Sequence, residues 1–202
     1  MKLYVTPGSP YARMARIVVF EKALQGKVEV ITAKTRTADS PYYAINPSGR
    51  VPYLVRDDGV GLEESALICD YLDQADGKPK FGLPAGIDAW EARRLEALAR
   101  SMMDGLQVWL REILRPEYER SPGVIRHEAD RAGRMTDAWE REIGHALMGG
   151  SLNMVQITLA CALGVEARNP DFHWRARHPQ LAAWFDRIAA RLSFTATAPA
   201  KA

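Results

Sequence analysis

The spacing of apolar positions changes part-way along the chain. In the first third the apolar runs are short and separated by turn residues. Residues 2–5 read as a strand, and Pro7-Gly8-Ser9-Pro10 follows. Met14, Ile17, Val18 and Leu24 then fall on one helical face, with Gly26 as the expected stop. Residues 28–32 predict a second strand. A polar stretch over 35–40 precedes a short helical piece and the turn Asn46-Pro47-Ser48-Gly49. Residues 51–55 predict a third strand, Asp57-Asp58-Gly59 a tight hairpin turn, and 60–62 a fourth strand. Helical spacing returns over 64–72. The order β-α-β-α-β-β-α suits one mixed sheet covered by helices.

Residues 77–86 hold three glycines and two prolines in ten positions and read as a linker. Beyond them the period is helical throughout. One long helix is predicted over 87–114, with Trp90, Leu95, Leu98, Met102, Leu106, Trp109 and Ile113 in register. A second passes through Ile125, Ala129, Ala132, Met135, Trp139 and Ile143 and stops at Gly149-Gly150. Residues 154–165 are apolar nearly all round, as a helix at the centre of a bundle should be. Residues 179–192 form an amphipathic helix opened by Pro179. The expected organisation is an α/β domain over 1–76, a linker over 77–86 and an all-helical domain over 87–202.

Composition narrows the function classes. A chain of 202 residues can bury about 70% of its unfolded surface, and 47% hydrophobic with 26% charged residues is an ordinary globular balance. Residues 1–86 carry 11 basic and 10 acidic side chains, and 87–202 carry 16 and 15. Neither part has the basic footprint expected of a nucleic-acid or anionic-membrane partner. Two cysteines, Cys69 and Cys161, make neither a disulfide framework nor a zinc site, and His127, His145, His173 and His178 lack metal-ligand spacing. With no signal peptide, bilayer-spanning run, P-loop or dinucleotide motif, the expectation is a reduced, cytoplasmic protein without a metal.

Three short motifs could carry chemistry, and each has an ordinary explanation. Ser9-Pro10 is a common helix start, with Ser at the N-cap and Pro at the first helical position. The same place also favours an anion through backbone N–H groups and the helix dipole. A free thiol with a pKa of about 8.5 is only about 3% ionised at pH 7, and a fall of two units raises the anion more than about twentyfold. Arg50-Val51-Pro52 is ordinarily a proline at a strand's entry. A cis Val51-Pro52 bond would instead turn the N–H and C=O of Val51 outward, toward an extended peptide ligand. Glu64-Ser65 is an ordinary helix start, yet Ser65 and the N-terminal N–H groups could take an α-carboxylate and Glu64 an α-ammonium.

In this order the motifs resemble the cytosolic glutathione transferase superfamily over nearly the whole chain, and most closely its bacterial serine-type members. The resemblance rests on Ser9-Pro10-Tyr11, the run Asn46-Pro47-Ser48-Gly49-Arg50-Val51-Pro52-Tyr53-Leu54, Glu64-Ser65, and His178-Pro179 with Trp184-Phe185. It implies a thioredoxin-like N-terminal domain, an all-helical C-terminal domain, and a homodimer. It further implies glutathione as co-substrate, conjugated to a small apolar electrophile in detoxification. Ser9 would stabilise the thiolate, Val51 pair by its backbone with the cysteinyl unit, and Glu64 and Ser65 hold the γ-glutamyl head. Arg50 falls near the glycyl carboxylate, and Asp104 is the candidate for reaching a partner subunit's γ-glutamyl amine. Tyr11, Met103 and Trp109 are candidates for the electrophile pocket, with core packing the alternative for these apolar side chains.

Some alternatives stay open. Thr6, Ser9 and Tyr11 place three hydroxyls close together. A non-catalytic binding scaffold would keep the same fold, and a glutathione-dependent peroxidase, dehalogenase or isomerase would keep the same peptide site. The chain has no cysteine near Ser9, so a mixed-disulfide mechanism lacks its nucleophile. Asn153 and Gln156 stand where many relatives have Ser or Thr and Asp, and predict a helix cap without the charge.

Overall fold

The computed structural model describes residues 1–83 and 86–199. They form two compact units, one of Met1–Lys80 with Leu192–Pro199 and one containing Phe81–Arg191. The sequence reading placed the whole of 87–202 in the helical domain, whereas Leu192–Pro199 packs with the first unit. Residues 84, 85 and 200–202 of that expected division lie outside the described residues.

The first unit contains β1 (Lys2–Val5), α1 (Pro10–Glu21), β2 (Glu29–Thr32), a 3₁₀ turn (Pro41–Ala44), β3 (Tyr53–Val55), β4 (Gly61–Glu63) and α2 (Ser65–Gln74). Its sheet runs β2-β1-β3-β4, with β1 parallel to β2 and antiparallel to β3, and β3 antiparallel to β4. This is the thioredoxin-like arrangement. Leu3 and Val5 alternate inward along β1, and Leu3 pairs with Leu54, which pairs with Leu62. Met14, Ile17 and Val18 bury one face of α1, which packs beside α2.

Helix α1 ends at Glu21, earlier than the glycine at 26 indicated. Ala23 takes the left-handed conformation (φ 51°), its N–H bonds Phe20 O, and Leu24 N–H reaches back to Val19 O. This is a Schellman-type closure with alanine in the position glycine usually fills. Lys22, its side chain nearly fully buried, then bonds Asp76 at 2.8 Å and the Lys78 carbonyl, and lies 3.4 Å from Asp73. That cluster ties the end of α1 to the end of α2.

A short helix, α8 (Leu192–Ala196), returns to α1. Arg13 donates to Phe194 O and Arg16 to Thr197 O, while Ser193 Oγ donates to Glu21 at 2.6 Å. Two guanidinium groups thus meet carbonyls at the C-terminal end of α8, where positive charge complements the helix dipole. Burial, and then the neighbouring charge of Arg13, lower the pKa of Arg16.

The second unit is helical: α3 (Ala89–Ile113), α4 (Pro122–Glu142), α5 (Ala146–Gly149), α6 (Met154–Leu163) and α7 (Pro179–Ala189), with 3₁₀ turns between them. Every residue of α6 from Val155 to Leu163 is buried, and α3 packs against both α6 and α4. The single helix expected through Ile143 to Gly149 is two helices. It breaks after Glu142, and His145 opens α5 by accepting from Leu147 N–H through Nδ1. Asn153 caps α6 through Oδ1 and donates to Leu147 O at 2.8 Å. Gln156 also donates to Leu147 O rather than back to the cap, so the pair closes α5 onto α6.

Residues from α4 hold the start of α7. Glu140 accepts from Gln180 N–H and Leu181 N–H, and the His178 ring lies between Trp174 O (2.6 Å) and the Asp137 carboxylate (2.8 Å). Among the described residues no helix is long and apolar enough to cross a membrane, and no group of three potential metal ligands occurs.

Candidate active site

Strand register decides which parts of the first unit share one end of the sheet. Tyr4 pairs with Tyr53, and Tyr53 pairs with Glu63. Because β3 runs against β1 and β4 against β3, the chain leaving β1, the chain entering β3 and the chain leaving β4 all meet beyond this row. Those segments carry Ser9, then Arg50-Val51-Pro52, then Glu64-Ser65. Four of the five predicted peptide-binding positions outside the helical unit flank this row within three residues, and Ser9 follows after a short turn. A shallow hollow of about 600 Å³ lies at the opposite end, lined by residues including Lys2, Glu29, Val55 and Asp57, and none of the predicted site residues lines it.

Ser9 is the N-cap of α1. Its Oγ accepts from Ala12 N–H at 3.2 Å, its own N–H bonds Thr6 O, and Pro10 fills the first helical position. The capping bond uses an oxygen lone pair, so the hydroxyl proton remains available for donation. The ordinary explanation and the catalytic one are therefore compatible in a single side chain. Tyr11 follows one residue later, half-buried.

The loop before β3 is pinned from both sides of Arg50. The Arg50 carbonyl accepts from Tyr42 Oη and from Asn46 Nδ2 (3.0 Å). The Arg50 N–H donates to Ser48 Oγ at 3.2 Å, and Ser48 Oγ donates to Glu63 at 2.6 Å. Tyr42 is buried, which raises its phenol pKa. Arg50 keeps an exposed side chain, and the Val51-Pro52 bond is cis. Among the described residues, the main-chain N–H and C=O of Val51 have no intramolecular partner. Sequence reasoning found Val51 but missed Tyr42, Asn46, Ser48 and Glu63, whose connection crosses loops of no fixed period.

Glu64 adopts φ 77°, the left-handed region that a non-glycine side chain seldom occupies. Its carboxylate accepts from Ala66 N–H (3.3 Å) and from the buried Ser65 hydroxyl (3.1 Å), capping α2. Holding a non-glycine residue in this conformation costs of order 1–3 kcal/mol. The structure thus joins Glu64 and Ser65 to each other, where the sequence reading gave each a separate ligand group.

In the helical unit Asp104 is exposed on α3, Met103 is fully buried, and Trp109 is buried edge-on to Phe172 at 6.1 Å. The buried positions of Met103 and Trp109 fit the packing alternative stated for them.

Comparison with known proteins gives this geometry a family. The model described as "Glutathione S-transferase, N-terminal domain" matches residues 3–80, and that described as "Glutathione S-transferase, C-terminal domain" matches residues 115–187. The chain belongs to the cytosolic glutathione transferase superfamily. A glutathione transferase family member of Pseudomonas fluorescens Pf-5, solved with bound glutathione, is 33% identical, with 98% of each chain covered and a TM-score of 0.86. A glutathione S-transferase of Methylobacillus flagellatus KT, solved with glutathione bound, is 28% identical over 98% of each chain, with a TM-score of 0.86. The uncharacterised GST-like protein YibF of Escherichia coli (strain K12) is 29% identical over the full length of both chains. Both domain models of the glutathione transferase family match the chain, in which Ser9 caps α1 and Ser65 donates to Glu64.

Proposed function

We propose that this protein is a glutathione transferase that joins the glutathione thiolate to a small apolar electrophile. The observation that carries the reading is the Tyr4–Tyr53–Glu63 row, beyond which Ser9, Val51 and Glu64-Ser65 gather. In this reading the N–H and C=O of Val51 pair with the cysteinyl unit as an added strand. Glu64 takes the γ-glutamyl ammonium. Ser65 and the first N–H groups of α2 take its carboxylate, which requires the Ser65 hydroxyl to leave Glu64. Arg50 takes the glycyl carboxylate, a role its exposed side chain supports.

Ser9 donates its hydroxyl proton to the thiolate, and the N-terminal end of α1 adds its dipole. No bond to Ser9 forms. In substitution the new carbon–sulfur bond replaces the bond to a leaving group, which departs with its electron pair. In addition, the carbanion formed takes a proton from water. Holding the thiolate beside its target replaces a bimolecular encounter with an effectively intramolecular step.

The exposed face of α3 carries Trp90, Ala97, Asp104 and Val108, and α2 exposes Leu67. These faces support assembly as a homodimer in which Asp104 approaches the partner's site. A monomer in sedimentation at micromolar concentration overturns that assembly.

The deciding experiment follows glutathione binding and thiolate ultraviolet absorbance against pH, for wild type, Ser9→Ala and Ser9→Thr. Saturable binding with a depressed thiol pKa is expected, returning toward about 8.5 in Ser9→Ala and kept in Ser9→Thr. No binding at millimolar glutathione discards the enzyme reading. A panel of electrophiles, hydroperoxides and haloalkanes then fixes the reaction, and turnover of peroxides alone overturns transfer.

A further inference from the structure

Arg50 has both main-chain polar groups bonded within the loop, while those of Val51 have no partner among the described residues. Its carbonyl accepts two donors, Tyr42 Oη and Asn46 Nδ2, which uses both lone pairs. Its N–H donates to Ser48 Oγ, itself anchored on Glu63 of β4. Asn46 further ties the turn by accepting from Ser48 N–H at 3.1 Å, and its amide lies 3.4 Å from Tyr42 Oη. Tyr42 and Asn46 are 3% and 1% exposed. The Tyr42 ring packs 5.5 Å from that of Tyr4, in the strand whose end leads to Ser9. Tyr42 and Asn46 therefore hold the Arg50–Val51 peptide, Ser48 the Gly49–Arg50 peptide, and Glu63 anchors Ser48.

We infer that Tyr42 and Asn46 are positioning residues: they fix the Arg50–Val51 main chain so that Val51 presents its N–H and C=O to an extended peptide in a preset orientation. The inference rests on the glutathione reading above. An unpinned loop would have to be ordered on binding, at an entropic cost for each backbone residue fixed. Pinning it beforehand transfers that cost from binding to folding. The ordinary alternative is that Tyr42 and Asn46 merely satisfy buried polar groups, in which case their removal lowers stability and leaves peptide affinity alone. The two explanations separate because buried Ser193, in the same unit, makes a comparable bond, Ser193 Oγ to Glu21 at 2.6 Å, without touching Arg50, Tyr42 or Asn46.

The experiment measures calorimetric binding of S-methylglutathione, which keeps the peptide and lacks the thiol, to wild type, Asn46→Ala, Tyr42→Phe and Ser193→Ala. Thermal melts of each variant are recorded alongside. Affinity is expected to fall about five- to tenfold in Asn46→Ala and severalfold in the milder Tyr42→Phe, and to hold in Ser193→Ala. With glutathione and an electrophile, KM for glutathione should rise in the two positioning variants while kcat at saturation stays near wild type. Wild-type binding with unchanged affinity in a folded Tyr42→Phe and Asn46→Ala overturns the inference alone. Equal weakening in Ser193→Ala also overturns it, because general loosening then explains the effect. Absence of binding by wild type overturns the glutathione reading and this inference together.

Discussion

Arg13 donates a 3.0 Å hydrogen bond to the carbonyl of Phe194, and its Cζ lies 5.6 Å from the centroid of the Phe194 ring. One buried guanidinium thereby holds both the backbone and the ring of a residue 181 positions away. The bond is charge-assisted and shielded from water, and its loss leaves the Phe194 carbonyl unpaired. Arg13→Ala should destabilise the protein by about 2 kcal/mol in urea unfolding. An unchanged midpoint and slope would show that α8 is held by other contacts.

Glu64→Gly separates folding from binding. Glycine adopts φ 77° without the steric penalty glutamate meets, and glycine at an N-cap gives up only a few tenths of a kcal/mol against a good capping residue. The variant should be more stable by about 1 kcal/mol and bind glutathione at least about tenfold more weakly. A variant that melts higher and binds as tightly as wild type removes Glu64 from the ligand site.

Gly49 and Gly59 both have positive φ, yet they should respond differently to alanine. A Cβ at Gly49 would lie 2.7 Å from Cε1 of the Tyr43 ring, whereas nothing stands within 4 Å at Gly59. Gly59→Ala should cost about 1 kcal/mol, from backbone strain alone, and Gly49→Ala clearly more. Chemical denaturation of the pair checks this, and equal losses would mean the Tyr43 ring moves aside freely.

The hydrogen bond from His178 lowers the pKa of Asp137, with Arg177 and Arg141 adding smaller contributions. A carboxylate with a depressed folded pKa contributes stability that is complete above its unfolded value, about 3.9, and is lost as pH falls through the folded value. Thermal melts should therefore show wild type above Asp137→Asn at neutral pH, with the gap closing below about pH 3.9. A gap of constant size down to pH 2.5 would remove the ion pair as its source.

Asn153→Ala should cost about 3 kcal/mol, because it removes the α6 cap and two buried donors, to Leu147 O and Ser151 O. Asn153→Ser keeps an acceptor for Gln156 N–H and should recover about 1 kcal/mol. Equal melting of the two variants would show that the cap bond carries nothing.

What the sequence discloses depends on whether a feature is periodic. The buried faces of α1, α3 and α6 follow from apolar spacing, and β1 agrees with its predicted bounds. Helix ends are less legible. Ala23 closes α1 where glycine was the cue, and the apolar register runs on through Ile143 although the chain breaks there to let His145 open α5. Helix α8 was missed because five residues with two buried positions make no pattern. At the candidate site Ser9, Val51 and Glu64-Ser65 are short local motifs and could be read directly. The hold of Tyr42, Asn46, Ser48 and Glu63 on the Arg50 peptide joins residues up to 15 positions apart, and no local spacing encodes it.

The return of α8 sets an order on the protein's biogenesis. The first compact unit takes in residues 1–80 and also 192–199, so its final helix leaves the ribosome only after the rest of the helical unit. At 5–20 residues per second, the intervening stretch of about 110 residues takes about 5–20 s to make. A sheet formed in that interval has the α8 side of α1 uncovered, with water in place of the carbonyl partners of Arg13 and Arg16. The strand-bearing unit brackets the helical stretch 81–191 in chain order.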